Sequence, residues 1–89
     1  MVGWDVKFQK KARKDAAKLK SAHLDGRAKR LIAIMRRDPY GNPPPFEKLK
    51  VELRGKYSRR INDQHRLVYA IDAENRTITV FSMFSHYGD

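Results

Sequence analysis

The stretch DPYGNPPP, residues 38–45, constrains the fold of this chain more than any other. Its three consecutive prolines lock φ and remove backbone donors, so a helix cannot continue through it and the segment is semi-rigid. The hydrophobic period differs on its two sides. Before it, Phe8, Ala12, Ala16 and Leu19 fall at helical spacing, as do Leu24, Ala28, Leu31 and Met35, with Ser21 and Asp25 as breaks or caps between the runs. The opening WDVKF alternates apolar and polar at Trp4, Val6 and Phe8, the pattern of a short half-buried strand. After the prolines the segment FEKLK is delivered to a fixed place, and beyond Gly55 come three strand candidates, KYSRRIN, HRLVYAID and TITVFSMFSH. The links Asp63-Gln64 and Ala73 to Arg76 are short enough for antiparallel hairpins. The expected fold is α+β: an N-terminal strand, a two-helix hairpin packed on one face of a small antiparallel sheet, and a C-terminal three-stranded meander.

With 89 residues the chain holds one modest core, so residues 1–89 are expected to form a single domain. It has no cysteine, which fits a reducing cytoplasm and removes thiolate metal ligands. No apolar run approaches a membrane span and no secretory signal is legible, so a soluble cytoplasmic protein is expected. The 20 Lys and Arg against 10 Asp and Glu leave a net charge of +10, which points to a polyanionic partner: nucleic acid, an anionic membrane or an acidic protein. Twelve of the cations lie between Lys7 and Arg37, mostly opposite the apolar stripes, where a solvated helix face accounts for them.

The cations of RRINDQHRLVYAI, residues 59–71, are harder to account for, because Arg59, Arg60, His65 and Arg66 lie within strand candidates. Alternation sets Arg66, Val68 and Ala70 on one face and the bulkier Leu67, Tyr69 and Ile71 on the other. Arg66 then faces away from the helices. Cutting RNA through its own 2′-hydroxyl needs a base, a cation for the phosphate and an acid for the leaving oxygen, and Glu47, Arg66 and His86 are of those types. Each has a plainer reading. Glu47 could pair with Lys50, Arg66 with Asp72 or Asp63, and His86 could be a solvated histidine near a chain end. Tyr57 and Tyr87 are edge aromatics or platforms for base stacking. Three scattered histidines without cysteine spacing give no metal signature.

Four words in order, PPPFEKLK, LRGKYSRRI, HRLVYAI and SHY, resemble the YoeB/Txe branch of the RelE-like toxins of bacterial toxin-antitoxin systems, from about Pro39 to Tyr87. The resemblance implies a ribosome-dependent endoribonuclease that cuts messenger RNA in the decoding site without a metal or other cofactor. It implies Glu47 as general base, Arg66 as stabiliser of the phosphate, His86 as general acid and Tyr87 as the tyrosine that positions the substrate. Lys50, Lys48, Arg59, Arg60 and Tyr57 would hold RNA, and His65 would support Arg66 from the opposite face. Gly88 and Asp89 follow where YoeB-like chains typically stop at His-Tyr, and a carboxylate there would favour the imidazolium form of His86.

The resemblance also implies partners: a cognate antitoxin with an acidic or disordered C-terminal segment, the messenger RNA and the 70S ribosome, with no membrane. Homodimerisation carries over from the family alone. The competing readings are a non-catalytic relative such as a ParE-like toxin, which generally lacks this glutamate, arginine and histidine together, and a basic RNA-binding module, which gives no reason for the terminal His-Tyr.

Overall fold

The computed structural model describes residues 3–41, 46–48 and 56–86, with residues 46–48, 85 and 86 described by their backbone alone. The chain runs β1 (Asp5–Phe8), α1 (Lys10–Ser21), α2 (Asp25–Arg37), β2 (Phe46–Lys48), β3 (Lys56–Arg60), β4 (His65–Asp72) and β5 (Thr77–His86). The strands form one sheet in the order β1-β5-β4-β3-β2. Four of them are antiparallel neighbours, whereas β1 pairs with β5 in parallel, so the sheet is mixed rather than purely antiparallel. The parallel pairing follows from the helical hairpin between β1 and the rest, which gives the chain length enough to cross over.

Burial of apolar stripes assembles these elements. Ala12 and Leu19 of α1, and Ala28, Leu31 and Met35 of α2, pack on Leu67, Tyr69, Ile78, Val80 and Met83 of the sheet. In α1 the second turn buries Asp15 where Ala16 was expected, and Ala16 is exposed. The carboxylate is tolerated there because it accepts the Met83 N–H at 3.0 Å and the Lys11 ammonium at 3.0 Å. That N–H lies where β5 is irregular. Arg66 pairs with Ser85, Val68 with Ser82 and Tyr69 with Val80, so β5 carries extra residues across two register shifts, and Asp15 takes up a donor in that stretch. Burial alone would raise the pKa of Asp15, but the Met83 N–H and Lys11 hold it below the ordinary carboxylate range.

The helices are joined without a glycine. Leu24 N–H bonds to the Leu19 carbonyl at 2.8 Å and His23 N–H to that of Lys20 at 3.1 Å, a paired closure that requires a left-handed residue, and His23 supplies it at φ 61°. At the far end of α2, a turn over residues 38–41 is closed by Gly41 N–H on the Asp38 carbonyl and Tyr40 N–H on the Asp38 side chain, both at 3.0 Å. Tyr40 meets Trp4 edge to face at 6.3 Å. Among the described residues no helix is long and apolar enough to cross a membrane.

Candidate active site

Cross-strand register brings the expected residues toward one end of the sheet. Arg60 of β3 lies directly opposite Arg66 of β4, and Arg66 opposite Ser85 of β5, forming a row with two guanidinium-bearing positions side by side. The next row on the same face holds Ser58, Val68 and Ser82, and Glu47 occupies the register position opposite Ser58. By strand geometry Glu47 is therefore roughly 10 Å across and roughly 7 Å along the sheet from Arg66, backbone to backbone.

The helix-free face is not uniformly open. Ser58, Val68 and Ser82 are buried, Arg66 is half-buried and Arg60 is exposed, so accessibility is greatest at the arginine row. Farther along, the Lys56 ammonium sits 4.4 Å from the centroid of the Phe81 ring, adding a cation to the same sheet.

The two arginines of the Arg59-Arg60 pair have separate fates, as alternation demands. Arg60 is exposed, whereas Arg59 is 1% exposed and cannot present its guanidinium to RNA, against expectation. Its Nε donates to the Tyr69 hydroxyl at 3.1 Å, and its Nη2 to the carbonyls of Pro39 at 2.9 Å and Gly41 at 3.0 Å. Burial pushes the Tyr69 phenol up, an effect that the Arg59 charge partly offsets. Tyr57 also faces inward, stacked on Tyr69 with centroids 5.8 Å apart, which favours its reading as a packing aromatic over a base platform.

His65 alternates with Arg66 and is buried, its ring stacked on Phe84 at 4.0 Å between centroids. It faces away from Arg66, as the alternation of neighbours on a strand demands. His86 is paired by backbone with His65, so it stands one residue beyond Ser85 and, by register, in the row of His65 that alternates with that of Arg66, whereas Glu47 shares the row parity of Arg66. Of Ser82, Phe84 and His86, expected on one face, Ser82 departs because it pairs with Val68, whereas Phe84 stacks on His65 and His86 pairs with it by backbone, a consequence of the shifts in β5. Asp72, a candidate partner of Arg66, lies at the other end of β4 with its carboxylate bonded by Asn75, which lowers its pKa. Lys50, Tyr87, Gly88 and Asp89 lie outside the described residues, as do the side chains of Glu47, Lys48 and His86.

A mixed sheet with a helical pair on one face is the architecture of known toxins. A YoeB/ParE toxin from Agrobacterium tumefaciens superposes with a TM-score of 0.83, 25% identity and coverage of 93% of this chain and 99% of that one. YoeB in a YoeB-YefM complex from Staphylococcus aureus gives a TM-score of 0.79 at 31% identity, covering 94% and 98% of the two chains. In sequence, Toxin YoeB of Synechocystis is 44% identical over 57 residues, 64% of this chain and 64% of that protein's length. Toxin RelK of Mycobacterium tuberculosis is 43% identical over 61 residues, 68% of this chain and 69% of its own. The model of the YoeB-like toxins of bacterial type II toxin-antitoxin systems matches residues 8–87. The chain belongs to that family, and is a toxin of the YoeB/RelE type.

Proposed function

We infer that this toxin is an endoribonuclease that cuts messenger RNA in the ribosomal decoding site by metal-independent transesterification. The observation that carries the reading is the direct pairing of Arg60 with Arg66 on the helix-free face, which puts two cationic residues side by side where one phosphodiester could meet both. Glu47 takes the proton from the 2′-hydroxyl, the freed oxygen attacks the adjacent phosphorus in line, and Arg66 holds the charge that grows on the non-bridging oxygens. The P–O5′ bond breaks and His86 gives its proton to the departing 5′ oxygen, which leaves a 2′,3′-cyclic phosphate. Tyr87 positions the substrate, while Arg60, Lys48 and Lys50 grip the flanking phosphates.

A preorganised donor such as Arg66 is worth about 3 to 4 kcal/mol, and the base and the acid each contribute about a hundredfold or more.

Solved relatives include a YoeB-YefM complex and a YoeB dimer from Staphylococcus aureus. By that likeness the natural inhibitor of this chain is an antitoxin with an acidic segment that covers the basic surface, and a second copy of the chain is a further partner. The test is induced expression followed by primer extension on cellular messengers, with wild type, Glu47→Ala and His86→Ala. Wild type alone should arrest growth and leave discrete 5′ ends. Equal toxicity without cleavage in all three would replace the nuclease with a binding toxin.

A further inference from the structure

We propose that Arg59 is the positioning residue that sets the register of β2, and with it the place of Glu47. The proposal rests on the nuclease reading for its effect on catalysis, but not for its effect on the strand. β2 has three residues and lies at the edge of the sheet, so it has few ladder bonds of its own to fix its register. A slip of one residue would move Glu47 out of the row of Ser58, Val68 and Ser82 and onto the opposite face.

Arg59 opposes that slip from two directions. Its backbone is the register partner of Phe46, the residue before Glu47. Its side chain reaches to the helix side of the sheet, where one nitrogen bridges the carbonyls of Pro39 and Gly41. One residue therefore grips the connection to β2 at both ends, at 39–41 and at 46. The grip is itself held firmly: Nε is on the Tyr69 hydroxyl, the residue is 1% exposed, and the 38–41 turn is closed by Asp38 and packed through Tyr40 on Trp4. Lysine cannot substitute, since a single ammonium lacks the planar fork that reaches a phenol and two carbonyls together.

The experiment compares Arg59→Met, Arg59→Lys and Tyr69→Phe with Glu47→Ala and Arg60→Ala in single-turnover cleavage of a messenger bound to ribosomes. Hydrogen exchange of the same purified proteins is read at a temperature where circular dichroism shows them folded. Arg59→Met should lower the maximal rate about a hundredfold, the penalty typical of a displaced catalytic group, while the half-saturating concentration moves less than about twofold. Arg60→Ala should do the reverse. Amides of residues 46–48 should exchange about tenfold faster or more in Arg59→Met while those of β4 keep their protection. Should Arg59→Met fail to fold, Tyr69→Phe and Arg59→Lys carry the same readouts with smaller changes. A folded Arg59 variant with native exchange at 46–48 overturns the proposal, as does one whose loss lies wholly in half-saturation. Wild-type cleavage by Glu47→Ala would instead sink the nuclease reading, and exchange at 46–48 would still decide the role of Arg59.

Discussion

His23 shows how a single residue closes an element at a conformational cost. It adopts φ 61° so that Leu24 and His23 can cap the last turn of α1, a geometry that glycine reaches without the clash of a Cβ. Because the side chain is exposed, His23→Gly should raise stability by about 0.5 to 1 kcal/mol, read as a higher midpoint in urea at unchanged slope. The stop was poorly legible for the same reason: the helix ends on a residue type that seldom ends helices, and Ser21 and Asp25 only bracket it. The separation of Arg59 from Arg60 was legible in principle, since neighbours on a strand cannot share a face. What sequence could not reveal is that the inward arginine finds its acceptors at Pro39, Gly41 and Tyr69, far away along the chain.

Between elements, a buried carboxylate helps tie α1 to β5, since Asp15 accepts the Met83 N–H. Asp15 has a folded-state pKa below its ordinary 3.8, so protons bind the unfolded chain more readily. Its stabilisation is complete above that ordinary value and is lost as pH falls through the depressed one. Asp15→Asn should therefore cost about 1.5 to 3 kcal/mol at neutral pH, and thermal melts should show the gap between variant and wild type narrowing in acid. β3, β4 and β5 begin where the alternating runs and turn residues place them, because each of those strands carries its own period. β2 was not legible as a strand, because three residues carry no period and its pairing is decided by β3. Nor were the register shifts of β5, which no glycine marks and which Asp15 supports from another element. These hidden features are the ones that govern where Glu47 and His86 stand relative to Arg66.

At the scale of the whole molecule, charge sets how the protein meets its target. A surplus of ten cations, many on exposed positions of α1 and α2, would make the proposed association with RNA a counterion-release process. Anisotropy titrations of labelled single-stranded RNA over a potassium chloride series should give a steep negative slope of log affinity on log salt. Arg60→Ala should flatten that slope by about 0.7, one phosphate's share on a single strand, and Arg59→Met should leave it unaltered. The strand order carries a consequence of another kind. β5 lies between β1 and β4, and both β1 and α1 pack against it, so the first elements to be synthesised have no sheet to settle on until residues 77–86 emerge. A nascent chain that stalls before Thr77 thus lacks the strand on which β1 and α1 pack, so folding competence arrives late in biosynthesis.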